Sequence, residues 1–256
     1  MRILLTNDDG ITAPGMAALY RAVEDLGEVA VVAPETPQTG AGHGISVHTP
    51  MTVHRVQVKG IFEGWAVVGR PADCVKLAIL ELLAWRPDFV ISGINAGLNT
   101  GMYTLYSGTV AAAAEAAVFF GLPSMAVSLE LSDHPDFVRA GQVARRMFEP
   151  YAAAHPPAGT CLNVNIPALD SGWPEGVRVC PRSVITTNAR YRKQTDADGR
   201  RVFCFDGGDP EKTREPGTDS EAVLQRYVAV TPLRFDVTDR ESLPEVSKWD
   251  WPEEFE

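Results

Sequence analysis

Apolar positions in this chain fall into short continuous runs that alternate with stretches of helical spacing. Residues 3–6 are an apolar run closed by Asn7-Asp8-Asp9-Gly10, which reads as a buried strand followed by a tight turn. Residues 14–26 put Met16, Leu19, Tyr20 and Val23 at helical spacing, with Pro14 at the start and Gly27 just past the end. Residues 29–33 read as a second buried strand, stopped by Pro34. Strand, helix and strand within roughly thirty residues form a βαβ unit.

After a glycine-bearing loop over 35–44, residues 45–58 alternate, with Val47, Thr49, Met51 and Val53 on one side, and predict a β-ribbon. Helices are expected over 71–84, 109–120 and 137–154, and buried strands over 89–92, 124–128 and 162–166. Repeated β/α alternation predicts a doubly wound, mostly parallel sheet covered on both faces. The texture changes after about residue 170. Short extended pieces follow at 177–180, 191–192 and 201–205, with Asp198-Gly199 as a hairpin turn, a short helical turn near 220–225 and a late strand over 227–231. Residues 1–170 are therefore expected to form an α/β core. Residues 171–256 are expected to form a β-rich extended arm ending in an acidic tail, of the kind that exchanges between subunits.

Composition narrows the chemistry. A chain of 256 residues with 45% hydrophobic and 22% charged residues has ordinary globular composition, which rules out a disordered or fibrous protein. With 23 basic against 33 acidic residues the net charge is −10, so no nucleic-acid polymer is expected as partner. The longest apolar region, 110–120, contains Glu115 and is too short for a membrane span. The first apolar run is also too short for a signal peptide. Cys74, Cys161, Cys180 and Cys204 form no C-x-x-C pair and read as reduced thiols of a cytoplasmic protein.

In an open α/β sheet, ligands bind beyond the carboxyl ends of the strands, so the loops there are read together. They carry Asn7, Asp8 and Asp9, then Gln38, Thr39 and Gly40, then Asn95 and Asn99, then Ser107, Gly108 and Thr109. Two carboxylates about 4 Å apart repel by roughly 4 kcal/mol at an effective dielectric near 20, so a site that keeps both ionised calls for a cation. Two charged oxygens with the Thr39 hydroxyl and the Asn95 carbonyl suit Mg²⁺ or Mn²⁺. The plainer reading of Asp8-Asp9-Gly10 is a turn that caps the next helix. Ser107-Gly108-Thr109, opening an Ala-rich helix, offers free N–H groups and hydroxyls to a phosphate, or else a Ser N-cap with a glycine for close packing. Asn99 adds an amide donor or is a solvated turn residue. His43 reads as a solvated loop residue, Arg70 as a surface ion pair, Asp73 as first-turn helix chemistry and Asp88 as a strand-entry residue. Gly207-Gly208-Asp209-Pro210 reads as a loop. No nucleophile elbow, P-loop or dinucleotide fingerprint is present.

Eight ordered segments carry a family resemblance: Leu5-Thr-Asn-Asp-Asp-Gly-Ile, Ala13-Pro-Gly, Val32-Ala-Pro with Gln38-Thr39-Gly40, Pro71-Ala-Asp-Cys-Val, Ser92-Gly-Ile-Asn95, Tyr106-Ser-Gly-Thr-Val, Leu122-Pro-Ser and Leu162-Asn-Val-Asn-Ile-Pro. Over residues 1–170, and again at 227–233, the chain resembles the SurE family of stationary-phase survival proteins. The resemblance implies a Rossmann-like fold with an exchanged C-terminal arm, assembled as a homodimer or homotetramer. It implies one divalent metal ion per subunit, held by Asp8, Asp9, the hydroxyl of Thr39 and Asn95. Asn99, Ser107 and Thr109 are expected as catalytic groups beside Asp8 and Asp9, with Asn7, Gly40 and Gly108 joining them around the phosphate. The implied reaction is hydrolysis of nucleoside 5′- and 3′-monophosphates, with side activity on short polyphosphate.

This chain departs from the family pattern at Thr39, where Ser is usual, and at Arg70, where Thr is frequent. Ala116 and Arg226 replace glycines, and 186–216 matches poorly. Two rival readings are an aspartyl-phosphate phosphatase, which wants D-x-D rather than adjacent aspartates, and a non-catalytic nucleotide- and metal-binding regulatory module.

Overall fold

The computed structural model of the chain describes residues 1–186, 189–206 and 215–252. Strand β1 (Arg2–Thr6) runs through the middle of the molecule, with Ile3, Leu4 and Leu5 fully buried on both of its faces. Helix α1 (Pro14–Val23) buries Met16, Leu19 and Val23 against the sheet, and its Pro14 costs no hydrogen bond at the first turn. It ends three residues before the expected boundary, where Leu26 N–H turns back to the Val23 carbonyl and the chain enters β2 (Glu28–Pro34).

The expected ribbon over 45–58 is corrected. Only β3 (Val53–Val58) is extended, and its partner is β4 (Phe62–Val67), joined through Lys59 and Gly60, both at positive φ. Residues 45–52 form no strand: the Ser46 N–H goes to the Asp73 carboxylate at 3.0 Å, not to a neighbouring strand, and the segment is largely exposed. Helix α2 (Pro71–Leu77) continues as a wider turn over Ala78–Leu82. Strand β5 (Phe89–Ala96) runs longer than expected, because it passes an irregularity between Ser92 and Asn95 and resumes pairing. A short 3₁₀ turn (Gly101–Leu105) then leads to α3 (Gly108–Phe120), β6 (Ser124–Leu129), α4 (Phe137–Ala153) and β7 (Cys161–Ile166).

The remaining elements are β8 (Gly176–Val179), β9 (Arg190–Thr195), β10 (Arg201–Asp206), α5 (Asp219–Leu224), β11 (Tyr227–Leu233) and α6 (Leu243–Val246). The main sheet has the order β3-β4-β2-β1-β5-β6-β7-β11-β8. Its six central strands, β4 to β7 in that order, are parallel, whereas β3 and β11 pair antiparallel to their inner neighbours. One core packs α1 and α4 on one face and a second packs α2 and α3 on the other, so the fold is an α/β sheet covered on both sides. The C-terminal β-rich extension includes the separate β9–β10 hairpin, which turns through 196–200 with Gly199 at positive φ. The loop expected at Gly207 to Pro210 lies outside the described residues.

Candidate active site

Strand order sets the place of the site. From β1 the chain goes one way to β2 and β4, then returns to β5 on the other side of β1. The crevice beyond the carboxyl ends of β1 and β5 is the switch point at which ligands of such sheets bind. Asp8 and Asp9 emerge there from β1, Asn95 lies in the last turn of pairing of β5, and α3 begins against them.

Asp8 is almost fully buried, and its Oδ1 accepts a hydrogen bond from the Thr109 hydroxyl. Burial pushes its carboxyl up to about 6; Thr109 opposes that rise and the neighbouring Asp9 charge reinforces it. Asp9 Oδ2 accepts from the Ala96 N–H at 2.8 Å, and burial raises this carboxyl too. No cationic side chain among the described residues counters either group. A Cβ placed on Gly108 would lie 2.8 Å from Asp8 Cβ, 3.0 Å from Asp8 Oδ2 and 3.0 Å from the Pro71 ring. Glycine therefore lets the first turn of α3 close onto Asp8, where the positive end of the helix favours an anion.

The other expected residues take varied places. Asn7 donates from Nδ2 to the Gly10 carbonyl at 2.9 Å, while its buried Oδ1 has no hydrogen-bond partner. Thr39 and Gly40 are exposed, and the loop reaches the site through Gln38 N–H, which donates to the Asp8 carbonyl at 2.7 Å. Asn95 donates from Nδ2 to the Gly97 carbonyl at 2.7 Å, which leaves its side-chain oxygen available to accept. Ser107 is the N-cap of α3, accepting from Val110 N–H at 3.0 Å, and Thr109 is fully buried against Asp8. Asn99 is buried and held from three sides. Its N–H donates to Asn165 Oδ1, its Nδ2 donates to Ser128 Oγ, and its carbonyl accepts from Asn163 Nδ2, each at 2.8 Å.

The donor set fits a hard dication. Two buried or half-buried carboxylates without a protein counter-ion, an orphaned Asn7 oxygen and an open Asn95 oxygen are all oxygen donors. Among the described residues no cluster of three or more His, Cys, Asp or Glu side chains exists, so ligands beyond the two aspartates would be neutral oxygens.

The family model for the survival protein SurE matches residues 3–189. The chain belongs to the SurE family. It is 44% identical over 250 residues to the 5′-nucleotidase SurE of Rhodopirellula baltica, covering 97% of this chain and 98% of that protein. It is 42% identical over 249 residues to the 5′-nucleotidase SurE of Syntrophobacter fumaroxidans, covering 97% and 99%. The crystal structure of the SurE protein from Aquifex aeolicus superposes with a TM-score of 0.82 at 34% identity, covering 96% of this chain and 98% of that one.

Several residues that support this SurE-family site were not assigned to it from sequence, although Asn163 and Asn165 lie inside one of the quoted segments. Ser128, Asn163 and Asn165, which clamp Asn99, sit at fully buried positions of β6 and β7. Alternating Asn163 and Asn165 in an apolar strand was the available signal, since buried amides need partners. Asp219 is fully buried and accepts from the N–H groups of Gly101 and Ser183 at 2.9 Å each, tying the 3₁₀ turn to the C-terminal region. His43 is an exposed loop residue, as expected, but it also has a partner: its Nε2 lies 2.8 Å from Glu115 Oε2, and Lys76 Nζ lies 2.5 Å from Glu115 Oε1. Glu115 itself is only 1% exposed. The surface ion pair expected of Arg70 is absent among the described residues; the guanidinium instead lies against Gly44. Asp73 accepts from the Arg70 N–H in the first turn of α2, and Asp88 accepts from the Arg2 N–H at the start of β1, as their sequence positions suggest.

Proposed function

We propose that this SurE-family chain is a metal-dependent nucleotidase. It hydrolyses nucleoside 5′- and 3′-monophosphates to nucleoside and phosphate, with short polyphosphate as a further substrate. The observation that carries the reading is the Asp8–Asp9 pair, held at the first turn of α3 with no cation beside it among the described residues. The 5′-nucleotidase names of the relatives from Rhodopirellula baltica and Syntrophobacter fumaroxidans support it. We assign Asp8, Asp9, the Thr39 hydroxyl and the Asn95 side-chain oxygen to one Mg²⁺ or Mn²⁺ ion per subunit. Such an ion, when bound, neutralises phosphoryl oxygens and makes a water nucleophilic near neutral pH.

The chain's own groups hold the reacting parts. Thr109 fixes the Asp8 carboxylate by donating to Oδ1, and so acts through Asp8. Ala96 N–H fixes Asp9. Ser107 accepts from Val110 N–H, which leaves its own hydroxyl proton to donate to a phosphate oxygen. Asn99 spends one amide proton on Ser128 and keeps the second for the phosphoryl group. Asn7, Gly40 and the Gly108 N–H complete the phosphate seat in this assignment. Preorganised donors of this kind stabilise charge as it develops on the transferring group.

We assign residues 1–170 to this metal- and phosphate-binding core and 171–256 to an arm that joins subunits into a homodimer or homotetramer. Tyr191, Phe203 and Phe205 of the β9–β10 hairpin stand more than half exposed, which supports a covering subunit. Four free cysteines support a reducing, cytoplasmic setting. The deciding assay is phosphate release from AMP, GMP and their 3′ isomers, with Mn²⁺, with Mg²⁺ and after EDTA. Turnover that disappears with EDTA and returns with either ion is expected. Full turnover by metal-free protein would refute the metal assignment, and no turnover with any ion would favour a binding module.

A further inference from the structure

The loop that carries Thr39 closes one turn of its own, Ala41 N–H donating to the Gln38 carbonyl at 3.1 Å, but that bond does not tie it to Asp8. Thr39 is exposed, and around Gly40 a side chain would find nothing within 4 Å. Gly40 and Gly42 both have positive φ, so the backbone here has glycine's freedom rather than a regular element's restraint. Position must come from the ties on either side. Before Thr39 there is Gln38 N–H on the Asp8 carbonyl at 2.7 Å, and after it Gly42 N–H on the Tyr106 carbonyl at 3.0 Å. The next residue, His43, reaches Glu115, which projects from the middle of α3. Glu115 is 1% exposed and is bridged to Lys76 of α2 at 2.5 Å. The His43 ring stands edge-on to Phe119 at 6.1 Å. A carboxylate buried in an Ala-rich helix is costly unless paired, and here both of its partners come from other elements.

We propose that His43 is a positioning residue: anchored by Glu115 and Lys76, it sets the Thr39 loop at the distance from Asp8 that metal binding requires. This inference rests on the proposed metal assignment of Thr39. It treats His43 as acting through Thr39 and not as a ligand.

The test is a double-mutant cycle read by calorimetric Mn²⁺ titration of metal-free protein, together with amide hydrogen exchange over 36–44. His43→Ala is expected to weaken Mn²⁺ binding about tenfold, as loss of a partner behind a metal ligand does. It should also speed exchange in the loop, with a smaller fall in the global unfolding midpoint than Lys76→Met gives, because Lys76 still pairs Glu115. His43→Gln, whose amide can still donate to Glu115, is expected to restore affinity to within about threefold. In a Thr39→Ala background, His43→Ala should cost nothing further, because the two act as one unit. Full additivity in the cycle, or an unchanged affinity in His43→Ala, would overturn the proposal. Absence of Mn²⁺ binding by the wild-type protein would instead overturn the metal assignment beneath it.

Discussion

Replacing Asp8 by Asn should make the metal-free protein more stable while removing its activity. Asp8 Oδ1 accepts from Thr109, and an Asn oxygen can keep that bond. What the substitution removes is a charge that burial disfavours. Burial pushes the folded carboxyl up to about 6 from its ordinary 3.8. Ionising it in the folded state therefore costs about 3 kcal/mol relative to the unfolded chain. The sign follows from linkage. The folded state holds this proton more tightly, so the penalty is absent well below pH 4 and grows as pH rises towards and through about 6. It amounts to about 1 kcal/mol near pH 4.5 and about 3 kcal/mol near pH 7.5. Asp8 also accepts from the Thr109 N–H, and loss of that bond returns about 1 kcal/mol. The net expectation is an Asp8→Asn protein stabilised by roughly 2 kcal/mol near pH 7.5 and by nearly nothing near pH 4.5. Urea unfolding in EDTA at the two pH values measures this directly. A variant less stable than wild type near neutral pH, or a difference that does not change with pH, would refute the account of Asp8. With Mn²⁺ present the order should reverse, because only the wild type gains ligand stabilisation.

Gly108→Ala should destabilise by about 1–3 kcal/mol in urea unfolding, because the methyl meets Asp8 Cβ at 2.8 Å and a first-turn position gains little helix propensity. Phosphate release should also fall at least about tenfold as the new methyl displaces Asp8. Thr109→Val keeps the shape and removes the donor to Asp8 Oδ1, so denaturant unfolding in EDTA at neutral pH should show a loss of about 1–2 kcal/mol. Lys76→Met leaves the Glu115 carboxylate buried with His43 alone; since Lys76 is 31% exposed, part of the pair's value is already screened. A loss of about 2–3 kcal/mol is expected, visible in thermal scans as a drop of roughly 5–10 °C.

Most of the core strands, the longer helices and the Asp8-Asp9 turn were legible because each is a local pattern: an apolar run, a helical stripe, a turn dipeptide. The alternation over 45–51 misled, since period-two spacing says nothing about whether a partner strand is alongside. The true partner, β4, was hidden by Glu63 and Gly64, which break its apolar run. Gly64 is needed there because a Cβ would come within 2.9 Å of the Val31 carbonyl oxygen. Ser107 as N-cap and Gly108 as the close-packing residue at the helix start were both legible from sequence, and the structure bears out both. The Asn99 clamp and the His43–Glu115–Lys76 link join residues distant along the chain. Periodicity within one segment cannot report such contacts. The buried polar residues Glu115, Asn163 and Asn165 were the trace they left in the sequence.

Placement of β11 between β7 and β8 has a consequence for the emerging chain. Every strand and helix around the crevice is synthesised by residue 166, yet β7 keeps an unpaired flank until residues 227–233 arrive. A chain halted in that interval presents Cys161–Ile166 as a bare β-edge, the template on which identical molecules stack. The final eighth or so of the polypeptide thus guards against clumping as well as finishing the sheet, and premature stop codons before or within Tyr227–Leu233 should yield inclusion bodies rather than a merely weaker enzyme.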